Sequence, residues 1–264
     1  MSTAPRASRP WDGGRRAAGF SMVELLVAVA VVAVLVSVMA PSLSKARSDA
    51  RRTVCLTNLH YLGLAAGMYL DDHNGAFWPY YTDTALGRVW WFGFEPGGPG
   101  TGPSRPLRRA QGLLTPYLGT ADDGLDCPMF PFGDARVFPK FAGRSTSYGY
   151  NLHLSGALTG DVARRVEYLG REARVFTLAD GAHFDFGDQM NEPAYIQYQP
   201  PLASGTLRPG GYAHFRHDGR AAVLMMDGST ELRRLRGPAY RVECGGPAGN
   251  LLDDGEGPSP YGIE

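Results

Sequence analysis

Apolar residues crowd one end of the chain. From Phe20 to Ala40 the 21 residues carry one charged side chain, Glu24. As a helix this run spans roughly 31 Å, about one bilayer hydrocarbon core. Pro41 follows; it lacks an N–H and clashes with the preceding turn, so it predicts a kink that ends the span. The period then changes. Val54 or Cys55, Leu59, Leu62, Ala66 and Tyr69 recur at helical spacing, while Lys45, Arg47, Asp49, Arg51 and Arg52 fill the solvated half. The pattern stops at Asp71-Asp72-His73-Asn74-Gly75, which reads as a C-terminal cap and turn. A helix from Phe20 to about Asp71 would measure roughly 78 Å. Its first half would lie in lipid, and its second half would offer an apolar stripe to a globular head.

The head is less regular. Residues 76 to 94 are crowded with aromatics (Phe77, Trp78, Tyr80, Tyr81, Trp90, Trp91, Phe92, Phe94), and a Gly/Pro-rich loop without periodicity runs from Glu95 to Pro106. Such a cluster reads first as core, and alternatively as a carbohydrate or protein contact surface. A short helix is predicted over Arg109 to Leu118, a short strand over Ser147 to Leu154, and a buried strand over Arg174 to Ala179, ending at Asp180-Gly181. The clearest β pattern is at 211–235. Gly211 to His217, Arg220 to Met226 and Ser229 to Leu235 are separated by Asp218-Gly219 and Asp227-Gly228. Asp-Gly between strands signals type I′ hairpin turns, so a three-stranded meander is expected. Its middle strand is apolar on both faces.

These patterns predict an α+β chain. They divide it into a leader (1–19), a transmembrane helix (20–41), its amphipathic continuation (42–75), a head (76–243) and a flexible Gly/Pro-rich tail (244–264). Composition narrows the function. The whole chain balances 26 basic against 26 acidic residues; the first 19 residues take four Arg and one Asp, which leaves −3 on the rest. No strongly basic surface remains for nucleic acid. Three cysteines, Cys55, Cys127 and Cys244, are too few for a disulfide framework.

An acid just inside a span is costly, about 2.5–3.5 kcal/mol at a helix centre and less nearer the end, so Glu24 marks a function. Ordinary secretory signals end in a small-residue cleavage site after their apolar region. Here Gly19 lies before it, and a cut there would leave the anchor on the mature protein. The freed α-amine of Phe20 and the Glu24 carboxylate, four residues on, would share a helix face and could pair within or between chains. A plain signal anchor, or a twin-arginine signal at Arg15-Arg16, leaves Gly19 and Glu24 unexplained.

Gly19-Phe20-Ser21-Met22-Val23-Glu24 and the apolar run after it resemble the processing and methylation signal of type IV prepilins and type II secretion pseudopilins. The resemblance implies that a prepilin peptidase cuts after Gly19 and methylates Phe20, and that Glu24 guides assembly. Pro41 matches a proline that many type IV pilins carry. It also implies a pilin-like fold, in which a long helix packs on a small antiparallel sheet. Further motifs resemble a bacterial prepilin-like group abundant in planctomycetes. They are Ala50-Arg51-Arg52-Thr53-Val54-Cys55-Leu56-Thr57-Asn58-Leu59, Cys127-Pro128, Ser147-Tyr148-Gly149-Tyr150-Asn151, Leu178-Ala179-Asp180-Gly181, and His217 followed nine residues later by Asp227-Gly228.

The meander places His217 and Asp227 at opposite ends of its central strand, roughly 20 Å apart. That is too far for a metal or general-base pair. His217 is therefore read as bonding a loop and Asp227 as shaping a turn. No residue is expected to be catalytic, and the chain is read as not an enzyme. No cofactor or metal is expected, although Asp71-Asp72-His73-Asn74 could hold Ca2+, which some type II pseudopilins bind through loop acids. Cys55 faces the head and Cys127 lies in a head loop; a disulfide between them and a pair of buried free thiols are both open.

The function expected is that of a structural subunit of a type II secretion pseudopilus or type IV pilus-like filament. It would sit in the bacterial inner membrane as a single pass with a periplasmic head. The partners implied are the prepilin peptidase, other pilins, an assembly platform protein with its ATPase, and membrane lipid. The alternative is a minor pilin or displayed binding module that uses the aromatic-rich loops.

Overall fold

A computed structural model describes residues 19–100, 104–119, 122–156, 164–166, 175–185, 189–197, 209–234 and 248–249. The chain separates into two units, Met1–Ala46 and Arg47–Glu264. In the first unit, residues 19–46 are all exposed, and from Met22 they are helical. They open the helix α1 (Met22–Asp72), which is long and apolar enough to cross a membrane. Val, Leu and Ala side chains with no covering partner among the described residues of their unit need lipid or neighbouring helices to cover them. Pro41 does not end this helix: α1 runs unbroken through it.

In the second unit α1 becomes amphipathic, as its period predicts. Cys55, Leu59, Leu62, Ala65, Ala66 and Tyr69 are buried, whereas Val54 is exposed, so Cys55 holds the inward position. The helix stops after Asp72, where Asn74 and Gly75 take φ of 53° and 74° and the Gly75 N–H donates to the Leu70 carbonyl at 2.7 Å. That is the left-handed cap the sequence predicts. Asp72 accepts a hydrogen bond from the Tyr117 hydroxyl at 2.9 Å.

The aromatic stretch forms a three-stranded antiparallel sheet, β1 (Tyr81–Thr84), β2 (Gly87–Trp90) and β3 (Gly93–Pro96), in sequential order. Phe77, Trp78, Trp90, Trp91 and Phe92 are buried in the same core as the α1 stripe. The helix expected over Arg109 to Leu118 is broken. A 3-10 turn covers Arg109–Gln111, and a single α turn, α2, covers Thr115–Leu118. Gly112 sits between them against the backbone: a Cβ there would lie 2.4 Å from the Gly93 nitrogen.

The larger sheet is built on one long strand. Its elements are β4 (Val137–Phe138), β5 (Tyr148–Asn151), β6 (Phe176–Phe184), β7 (Met190–Asn191), β8 (Tyr195–Ile196), β9 (Gly210–His214), β10 (Arg220–Met225), β11 (Thr230–Arg234) and β12 (Ala248–Gly249). The main path runs β11-β10-β6-β5-β8. β6 does not stop at Ala179 as expected but continues through Asp180-Gly181. Its first half pairs with β10 and its second with β9. Leu178 on β6, Ala222 and Leu224 on β10, and Tyr148 and Tyr150 on β5 share the core of the α1 stripe. Ala221, Val223 and Met225 face a second cluster with Phe215. Together these elements make an α+β, pilin-like fold.

The expected meander holds at one turn and fails at the other. β10 and β11 pair antiparallel from Arg220↔Arg234 to Leu224↔Thr230. Their turn is three residues, not two. The Gly228 N–H donates to the Met225 carbonyl, and Gly228, with φ of 84°, is the turn residue at positive φ. At the other turn Asp218 and Gly219 both have positive φ, and His217 and Arg220 exchange backbone hydrogen bonds of 2.9 and 3.0 Å. That is the predicted type I′ geometry. Yet β9 pairs with β6, because the chain leaves the strand at Phe215 and Arg216, where the Arg216 N–H closes on the His214 carbonyl at 3.0 Å.

Candidate functional site

Two places in the chain carry chemistry. At the N-terminal end, residues 19–21 precede the helix, Phe20 is 74% exposed, and no atom lies within 4 Å of where a Gly19 Cβ would stand. No described residue therefore packs over Gly19. Ser21 starts the helix: its Oγ accepts from the Val23 N–H at 3.2 Å, and Glu24 Oε2 accepts from the Ser21 N–H at 2.8 Å. This is a reciprocal capping box, which satisfies two of the amides orphaned at a helix start. The sequence pattern pointed to an ion pair of Glu24 with the Phe20 amine, within or between chains, but this cap was overlooked, although Ser-x-x-Glu before an apolar run announces it.

The second place lies inside the head. Cys55 comes from α1, Cys127 from the loop before β4, Asp180 from the middle of β6, and His217 from the corner after β9. All four are at most 1% exposed. One ligand atom from each lies within 4.8 Å of the other three. His217 Nε2 is 3.0 Å from Asp180 Oδ2 and 3.4 Å from Cys127 Sγ, while Cys55 Sγ is 3.5 Å from Asp180 Oδ1. The two thiols are not bonded to each other in this structure.

Neighbouring residues hold this arrangement. Asn58, one turn after Cys55 on α1, donates to the Asp126 carbonyl at 2.8 Å, and the Cys127 N–H donates to Ser147 Oγ. The Ala222 N–H on β10 donates to Asp180 Oδ2 at 2.7 Å. The Tyr148 hydroxyl lies 3.3 Å from Cys55 Sγ. Arg216, also buried, brings its Nε to 3.7 Å from Asp180 Oδ1. Burial opposes ionisation of Asp180, but Arg216 and then His217 hold its carboxyl below the usual range. Burial also disfavours the His217 imidazolium, yet its bonds to Asp180 and Cys127 carry it up to about 9. Burial pushes the Cys55 thiol well up, while Cys127 is drawn down against its own burial by hydrogen bonds from Cys55 and His217.

His217 was expected to bond a loop. Its side chain does meet a loop residue, Cys127, and it also meets an acid in the centre of the sheet, Asp180. Asp227 does shape a turn: its Oδ1 accepts from the Ser229 N–H at 2.9 Å and from Ser229 Oγ at 2.6 Å. The nine-residue spacing therefore joins two residues with separate tasks. Asp180 was not singled out by charge or spacing, because it stands in an apolar strand 37 residues from His217. A trace was present all the same. Cys55, Cys127, Asp180 and His217 each fall in a different one of the short motifs quoted above.

Residues 14–40 match the family described as the prokaryotic N-terminal methylation motif. Searches with the whole chain among curated proteins and solved structures gave no match. The chain thus carries a prepilin-type N-terminal motif on a pilin-like α+β fold. That motif implies processing by prepilin peptidase and assembly with other pilins in general. The match ends before Pro41 and does not reach the His217–Asp227 spacing.

Proposed function

We propose that this chain is a structural subunit of a type II secretion pseudopilus or type IV pilus-like filament. It is cut between Gly19 and Phe20 and polymerised through α1. The observation that carries this reading is the coincidence of the methylation motif with an apolar helix end that no described residue of its own unit covers. Such a surface is stored in lipid and then buried against neighbouring helices in the filament. The ion pair of the Phe20 α-amine with Glu24, within a chain or between neighbours, lowers the cost of burying either charge. In this reading the anchor lies in the bacterial inner membrane with the head in the periplasm. An assembly ATPase and its platform protein drive insertion into the filament.

The chain acts as an assembly unit and not as an enzyme. What supports this is the closure of the His/Asp/Cys cluster found among the described residues: its members converge, but all four are buried in the core. The packing of Trp78, Trp91 and Phe92 inside the head supports a core role for most of the aromatic stretch, of which Tyr81 is exposed. The test is recovery of an epitope-tagged chain in sheared filament fractions. Recovery that requires the prepilin peptidase and the assembly ATPase is expected. A chain that stays wholly in the membrane fraction when both are present would overturn the proposal.

A further inference from the structure

We propose that Cys55, Cys127, Asp180 and His217 bind a single divalent ion of the zinc class in a closed, structural tetrahedral site inside the head. The geometry comes first. Four ligands at ordinary zinc bond lengths stand about 3.4–3.8 Å apart along the edges of a tetrahedron. Here His217 Nε2 stands 3.0 Å from Asp180 Oδ2 and 3.4 Å from Cys127 Sγ, Cys55 Sγ stands 3.5 Å from the other carboxylate oxygen, Oδ1, and one ligand atom from each residue lies within 4.8 Å of the other three. The second point is direction. In a catalytic relay, histidine bridges its two partners through its two nitrogens. Here Asp180 and Cys127 both crowd Nε2, and Nδ1 has no hydrogen-bond partner among the described residues. One N–H can reach both the carboxylate and the sulfur only by dividing a single bifurcated bond between them. A cation at the common centre satisfies all of them.

The donor set selects the ion. Two thiolates, an imidazole and a carboxylate suit Zn2+, whereas Ca2+ and Mg2+ take oxygen. Charge closes as well: two thiolates and a carboxylate against a dication leave −1, and the buried Arg216 beside Asp180 supplies +1. The Tyr148 hydroxyl on Cys55 and the Ala222 amide on Asp180 orient the ligands from outside, as outer partners do in metal sites. A Cys55–Cys127 disulfide would engage only two of the four groups and leave Asp180 and His217 buried beside it. An ion joins α1, the loop before β4, β6 and the corner after β9 in one crosslink.

The experiment uses the full chain, purified in detergent without chelators from cells grown with zinc, and does not depend on filament assembly. Elemental analysis is expected to give about one zinc per chain. Peptide mapping after denaturing alkylation is expected to find Cys55 and Cys127 as reduced thiols. Cys127→Ser and His217→Ala should lower zinc by about tenfold or more, while Asp227→Asn should retain it. Because the first two variants can fail to fold, cobalt is also exchanged into the unmutated chain. A thiolate-to-cobalt charge-transfer band with intense tetrahedral d–d bands supports the site. A weak octahedral cobalt spectrum, zinc at background, or a Cys55–Cys127 disulfide in the metal-free native chain would overturn it.

Discussion

Glu24 caps its helix and, under the proposed function, also supplies a charge for assembly; a conservative substitution separates the two. Its carboxylate closes the capping box with Ser21, a bond that a glutamine oxygen can also accept, since the box tolerates Glu or Gln. Its charge is what an assembly role requires. Glu24→Gln should therefore preserve the helix start and membrane insertion yet reduce incorporation into filaments, while Glu24→Ala should lose both the cap and incorporation. Equal incorporation of wild type and Glu24→Gln in sheared fractions would count against a role for the charge. A second prediction concerns pH. Burial, reinforced by Lys140, holds His183 neutral down to about 3. The unfolded chain takes up that proton near pH 6.5 and the folded chain does not, so stability is complete above about 6.5 and falls as pH drops below it. Between pH 6.5 and 5 the loss from this one residue should be about 1–2 kcal/mol. Urea melts of wild type and His183→Gln check it; equal pH slopes for the two chains would contradict it. At this scale the sequence was only partly legible. Gly19, Phe20 and Glu24 are local and could be read directly, whereas the partners of His217 come from Cys127 and Asp180, which only the tertiary fold brings together.

At the scale of elements, periodicity was a good guide wherever one face is buried. The stripe through Cys55, Leu59, Leu62, Ala66 and Tyr69 is the buried face of α1. Leu62→Ala should cost about 2–5 kcal/mol through a cavity, while Leu64→Ala, on the exposed face, should stay within about 0.5 kcal/mol. Denaturant titration of the two variants checks the assignment. Turn chemistry was legible at Asp218-Gly219, but strand partners were not. Two residues, Phe215 and Arg216, turn the chain from β9 toward β10 after β9 has paired with β6, and no local pattern announces that. The helix expected over Arg109 to Leu118 failed for a similar reason: Gly112 is held against the Gly93 backbone, a long-range contact that outweighs helix propensity. Gly211 makes the tightest approach in the sheet, where a Cβ would stand 1.9 Å from the Tyr195 carbonyl oxygen. Gly211→Ala should separate β8 from β9 and cost at least about 2–3 kcal/mol, read as a lowered melting temperature.

For the whole molecule, the two units answer to different solvents. Residues 19–46 present an apolar helix that only lipid or other helices can cover, and residues from Arg47 onward enclose their own core. Division of this kind suits a subunit stored in a membrane and consumed by polymerisation: the helix supplies assembly, and the head must hold its shape outside the bilayer. The central claim is that the chain is a processed prepilin, and its N-terminus is the most direct witness. Mass spectrometry of the chain isolated from cells with and without prepilin peptidase should find a mature N-terminus at methylated Phe20 only when the peptidase is present. A leader still attached in peptidase-containing cells, or a mature chain that begins anywhere other than Phe20, would contradict the account.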